Sequence, residues 1–175
     1  TTIEHINRGS TSNIIFGAGI IGEILFHACC AAGIKIDCFC DDKVRGPLCG
    51  LEILHTSELR NKYQDAVFFI ASANIKDMVD RLKDLGYSKW HSCGLLLRDF
   101  DLSKVSRSVS AHPADYLEYK VSTCVLCHDN YINPDHLFLQ SVDLIITERC
   151  SMKCKDCSNL MQYYEKPENS GLEEM

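Results

Sequence analysis

No apolar run in this chain approaches the roughly 20 residues that a membrane-spanning helix needs, and no signal-peptide pattern opens it. Positive charge is also short. Eighteen Lys and Arg stand against 24 Asp and Glu, a formal net charge of −6, with no long basic stretch. A nucleic-acid surface draws its affinity from clustered Lys and Arg, so this balance argues against one. A disulfide framework is missing too, although cysteine itself is plentiful. The eleven cysteines are an odd count; Cys29 and Cys30 are adjacent in an expected helix, and Cys38 and Cys40 alternate along an expected strand. Such positions suit small buried hydrophobes, and a reducing cytoplasm is the expected setting.

At 175 residues the chain suits one domain with an appendage, or two small domains. The expected class is α/β: a Rossmann-like open parallel sheet with flanking helices over 10–100, a linker over 101–140, and the opening of a second domain over 141–175. On this reading the chain holds one whole domain and the start of another.

The first organised stretch is Asn13-Ile14-Ile15-Phe16, a short buried strand, followed by Gly17-Ala18-Gly19-Ile20-Ile21-Gly22. A helix is expected from Ile20 to Ala32, stopped by Gly33. The next strand spans Ile34 to Cys40 and closes on Asp41-Asp42. Strand, G-x-G-x-x-G turn, helix, strand and acid follow one another as in a dinucleotide-binding βαβ unit. Gly17 permits the tight turn, Gly19 lets backbone N–H groups approach a phosphate, and Gly22 lets the helix pack closely. Ala18 lies between them, and the helix start supplies positive potential. The Asp41 carboxylate stands where it can accept from ribose hydroxyls.

Leu51–Leu54 reads as a short strand and 56–60 as a helix start capped by Thr56 or Ser57. The continuous apolar run 65–71 fits a central parallel strand. It is expected beside 13–16, which places Ser72 and Asn74 in the crevice with the glycine loop. A helix over about 75–85 carries Ile75, Met78, Val79, Leu82 and Leu85 on one face, and a last strand lies within 90–97. Residues 98–120 are polar and read as linker, with a short helix at 113–119. His27, His55, His91 and His112 have no ligand spacing and read as satisfied surface or core histidines.

Two cysteine groups remain. Near the end, Leu144-Ile145-Ile146-Thr147-Glu148-Arg149-Cys150 runs into Cys154 and Cys157, a C-x₃-C-x₂-C spacing behind an apolar β-like run. Spacing alone leaves an iron–sulfur cluster, a zinc loop or three unrelated buried thiols open. Upstream, Cys124-Val125-Leu126-Cys127 could pair with Cys154 and Cys157 as a zinc ribbon. It could also hold an accessory metal, or be two reduced thiols in a loop.

Over about residues 140–165, Thr147-Glu148-Arg149-Cys150 and Cys154-Lys155-Asp156-Cys157-Ser158-Asn159 resemble the radical S-adenosylmethionine (radical SAM) superfamily. Asp156 stands where many members carry an aromatic residue. The resemblance implies a [4Fe–4S] cluster on Cys150, Cys154 and Cys157, with S-adenosylmethionine on the fourth iron and reductive cleavage to a 5′-deoxyadenosyl radical. It also implies an electron donor such as a flavodoxin or ferredoxin. Over about 13–95, the glycine loop, Asp41-Asp42-Lys43 and Gly50-Leu51-Glu52-Ile53-Leu54 resemble the N-terminal domain of PglD-type sugar acyltransferases. That resemblance implies a nucleotide sugar at the glycine loop, ahead of NAD. The combined expectation is a radical SAM enzyme acting on a small, sugar-linked substrate by hydrogen abstraction, without nucleic acid or membrane. The alternatives are a non-catalytic nucleotide-binding module with a structural zinc knuckle, and an NAD-dependent oxidoreductase.

Overall fold

The computed structural model describes residues 12–105 and 112–135, together with positions 149, 150, 155, 163, 165, 166, 168 and 171. The chain divides into two units, 1–138 and 139–175, and the sheet with its helices belongs to the first. Its elements are β1 (Ser12–Phe16), α1 (Ile20–Ala31), β2 (Cys38–Cys40), β3 (Ile53–Leu54), α2 (Thr56–Lys62), β4 (Ala66–Ile70), α3 (Ile75–Asp84), β5 (Trp90–Ser92), α4 (Gly94–Leu97), a 3₁₀ turn (Leu102–Lys104) and α5 (Ala114–Ile132).

The five strands form one all-parallel sheet in the order β3-β2-β1-β4-β5. This is a Rossmann-like arrangement, with the strand order reversing between β1 and β4. β4 lies beside β1 over its full length, Ser12 opposite Ala66 and Phe16 opposite Ile70, as expected from the apolar run. Successive strand residues face opposite sides, and both sides are covered. Ile15, Phe39 and Phe69 join Ile24, Leu25, Ala28, Leu97, Leu117, Val121 and Val125 in one core layer, built on α1, α4 and α5. Ile14, Phe16, Phe68 and Ile70 join Leu59, Ile75, Val79, Leu82 and Tyr87 in the other, built on α2 and α3.

Several boundaries differ from the sequence reading for local reasons. β2 begins only at Cys38. Upstream, Asn13 and Asp37 bridge the chains instead, the Asn13 N–H donating to the Asp37 carboxylate at 2.9 Å and the Asp37 N–H to the Asn13 carbonyl at 2.9 Å. The cap of α2 is His55, not Thr56 or Ser57. Its Nδ1 accepts from the Ser57 N–H at 3.2 Å, and the Glu58 carboxylate accepts from the His55 N–H at 2.8 Å, a reciprocal capping box.

The largest correction concerns 101–140. Residues 114–132 are not a linker with a short helix at 113–119; they form a 19-residue helix. Leu117, Val121, Cys124, Val125 and His128 recur at helical spacing and are all buried against the sheet layer. Arg98 fixes the helix from outside, donating to both Asp129 carboxylate oxygens at 2.8 Å.

Candidate functional site

The glycine loop leaves β1 at the switch point. Gly17 has φ +112, which L side chains rarely adopt, and a Cβ there would lie 2.8 Å from the Ala71 carbonyl oxygen. Its N–H donates to the Cys40 carbonyl at 2.9 Å. The loop is thus wedged between the ends of β2 and β4. Gly22 serves the loop more than the sheet: a Cβ on it would stand 2.1 Å from the Gly17 carbonyl oxygen. Gly19 differs from both. It is the N-cap residue of α1 at φ −89, and a Cβ would meet nothing within 4 Å. Open space therefore lies at the start of a twelve-residue helix whose first N–H groups have no intrahelical partner.

Asp41 ends β2 beside this loop, and its carboxylate serves the backbone. Oδ2 accepts from the Ala18 N–H at 2.9 Å; Oδ1 accepts from the Lys43 N–H at 2.7 Å and the Val44 N–H at 3.0 Å. Burial alone would raise this carboxyl. The Ala18, Val44 and Lys43 donors, with Arg45 nearby, outweigh it and hold the group below the usual carboxylate range. Asp42 has a separate task, accepting from the Thr56 hydroxyl at 2.7 Å and N–H at 3.1 Å. Burial opposes ionisation here too, and Thr56, His55 and Arg81 overcome it, again lowering the carboxyl.

Ser72 and Asn74 follow β4 across the switch point. Their side chains are occupied locally. The Ser72 hydroxyl accepts from the Asn74 N–H at 3.2 Å, and the Asn74 amide donates to the Asp77 carboxylate. The parallel pairing of β1 with β4 thus brings Gly17, Ala18, Gly19 and Asp41 to one sheet end together with Ser72 and Asn74.

Sequence reasoning missed a second convergence. Cys93, at the β5–α4 junction, meets Cys124 and His128 of α5, and all three are buried. The two sulfurs are 3.4 Å apart. His128 Nε2 lies 2.8 Å from the Ser72 carbonyl oxygen, which only accepts, so Nε2 carries the proton. Nδ1 faces the Ser92 hydroxyl at 2.9 Å. The Cys93 hydrogen bond, opposed by burial and helped by His128, pulls the Cys124 thiol below its ordinary value. The same bond, with burial, drives the Cys93 thiol far up. The zinc-ribbon reading of Cys124 and Cys127 therefore meets a different geometry. Both lie on a helix, with Cys124 facing Cys93 and His128. The signal was present as a Cys-x₃-His spacing, one helical turn.

Glu23, His27 and Cys49 form another group of potential ligands, half-exposed. Tyr116 and Lys120 have the Tyr-x-x-x-Lys spacing of one class of NAD-dependent oxidoreductases. On α5 the ammonium stacks 5.4 Å from the Tyr116 ring centroid, and Tyr116 is exposed. A groove of about 990 Å³ runs between the segment 97–105 and α5, lined by Leu97, Phe100, Leu102, Leu117 and Val121; no glycine-loop residue contributes to it.

Of the C-x₃-C-x₂-C set, Cys150 is half-buried. Cys154 and Cys157 lie outside the described residues. No helix among the described residues is long and apolar enough to cross a membrane. Comparison with protein-family models, with curated proteins and with solved structures returned no match for this chain.

Proposed function

We propose that this chain is part of a radical SAM enzyme whose Rossmann-like domain binds a nucleotide or nucleotide-linked sugar through its glycine loop. The observation that carries the nucleotide half is the open space at Gly19. It lies at the N-terminus of α1, at the switch point of a parallel sheet, beside a loop held by Gly17 and Asp41. Main-chain N–H groups and the helix dipole suit a phosphate there. Both Asp41 oxygens already accept backbone N–H bonds, so a ribose hydroxyl would share a carboxylate whose first duty is to the loop.

The radical SAM half rests on the sequence resemblance and on the chemistry of the donor set. Three closely spaced cysteines in a C-x₃-C-x₂-C pattern fit a thiolate-held cluster. Cys150, Cys154 and Cys157 would hold it. When bound, such a cluster supplies one-electron reduction of S-adenosylmethionine. The role of the Rossmann-like domain is then to hold the nucleotide end of a substrate.

Calorimetric titration with a UDP-sugar and with NAD tests the first half. Binding is expected to favour the UDP-sugar and to vanish in Gly19→Val with the fold retained. Equal binding by the variant would overturn the assignment of the loop. Iron and sulfide analysis after anaerobic reconstitution tests the second half. About four irons per chain are expected, and zinc without labile sulfide would sink it.

A further inference from the structure

We infer that Cys93, Cys124 and His128 form a closed binding site for one zinc ion, with the Ser72 carbonyl oxygen as the fourth donor. The donor atoms already have the right spacing. Cys93 Sγ, Cys124 Sγ and His128 Nε2 form a triangle with sides of 3.4, 3.7 and 3.8 Å. The point equidistant from its corners lies about 2.1 Å from each, beside ordinary Zn–S and Zn–N lengths of about 2.3 and 2.0–2.1 Å. An ion slightly off the plane of that triangle lies within bonding distance of all three donor atoms. The Ser72 carbonyl, 2.8 Å from Nε2, stands beside the same corner.

What must change is the imidazole. Cys93 Sγ is 3.7 Å from both ring nitrogens, so it is aligned with neither lone pair. The ring turns to aim Nε2 at the ion, and its proton is carried on Nδ1 instead, where the Ser92 hydroxyl 2.9 Å away accepts it. A ligating histidine whose other nitrogen donates to a fixed partner is the usual outer arrangement of zinc sites. The two thiols release their protons, two in all, and the site holds two thiolates against one divalent ion. Soft sulfur donors select zinc over magnesium or calcium. Cys93, Cys124 and His128 are fully buried, which leaves no open position for a reacting water. The ion is therefore structural, and it ties α5 to the ends of β4 and β5. The site shares no residue with the Cys150 set, so the two assignments fail separately.

The test is zinc content of the full chain, purified reduced, by mass spectrometry of the metal. One equivalent of zinc is expected to disappear in Cys93→Ser and in Cys124→Ser. It is expected to survive Cys127→Ser, Cys49→Ser and Cys150→Ser. If the two serine variants do not fold, cobalt(II) on the parent and on His128→Cys decides. The parent should show thiolate-to-cobalt charge transfer for two sulfurs, and His128→Cys should keep the metal with about half as much again, because a third thiolate joins the two. Zinc unchanged in Cys124→Ser, cobalt lost in His128→Cys, or a metal-free parent carrying a Cys93–Cys124 disulfide would overturn the site.

Discussion

Gly22→Ala and Gly19→Ala add the same methyl group three residues apart, and a marked loss of stability is expected only for the first. In a free helix Ala is favoured over Gly by about 0.8–1.0 kcal/mol, so propensity alone predicts that Gly22→Ala stabilises α1. The structure reverses that sign. The new Cβ would sit 2.1 Å from the Gly17 carbonyl oxygen, and Gly17 cannot yield easily. Its φ is +112, its N–H is bonded to Cys40, and the Ala71 carbonyl stands against its other side. Overpacking a rigid site costs about 1–3 kcal/mol, occasionally more, and a contact this short belongs at the upper end. The net loss is about 2 kcal/mol, or on the order of 10 °C in Tm for a domain of this size. Gly19→Ala meets open space at an ordinary φ, so its change should stay within about 0.5 kcal/mol. Thermal unfolding followed by circular dichroism measures both. If Gly22→Ala melts within about 2 °C of the parent, α1 does not rest on the Gly17 carbonyl and the description of the loop is wrong.

Further outcomes follow from the same geometry. Asp41 and Asp42 have folded-state pKa values below the ordinary carboxylate value of about 3.9, so the stability they add is complete above that pH and is lost as pH falls through the lower folded values. Asp41→Asn should flatten the acid limb of a Tm-against-pH curve, and an unchanged limb would refute the role given to its hydrogen bonds. Leu117→Ala, in the buried stripe of α5, should cost about 2–4 kcal/mol in urea unfolding, whereas a linker residue would cost less than about 0.5 kcal/mol. In reconstituted protein, Cys150→Ala should abolish iron content and Cys127→Ala should not; the reverse pattern would remove the cluster assignment.

Much of the sheet was legible because its signals are local. Ile14–Phe16 and 66–71 are apolar without interruption, as strands covered on both faces must be, and the glycine loop between β1 and α1 follows from residue type alone. α5 was illegible for a definite reason. Its buried stripe is Leu117, Val121, Cys124, Val125 and His128, and two of those five are residues whose burial depends on partners. A histidine has no apolar signature until Ser72 and Ser92 satisfy its nitrogens. Cys124 reads as a ligand or as a core residue depending on whether Cys93 lies opposite, and a separation of 31 residues hides that. His55 as a cap was missed similarly, since imidazole is an uncommon cap and Thr56 and Ser57 are better ones by type. Asp41 accepts from the Ala18, Lys43 and Val44 N–H groups, bonds that depend on loop conformation, which residue type does not specify.

The way polar side chains are used at the crevice constrains what can be recognised there. Asp41 is committed to three backbone N–H groups, Ser72 Oγ to the Asn74 N–H, and the Asn74 amide to Asp77. None of these contacts reaches across the switch point to the other strand end. The open space at Gly19 adjoins the start of α1, whose N-cap carries no side-chain hydrogen bond. On the proposed reading such a surface would take a phosphate or pyrophosphate without reading a base, because a helix dipole and N–H groups recognise charge rather than shape. Discrimination between one nucleotide and another has to come from groups farther along the crevice. The Gly19→Val change should accordingly remove binding of every nucleotide that enters this site by its phosphate. A side chain that distinguishes a UDP-sugar from NAD should alter one affinity and leave the other in place.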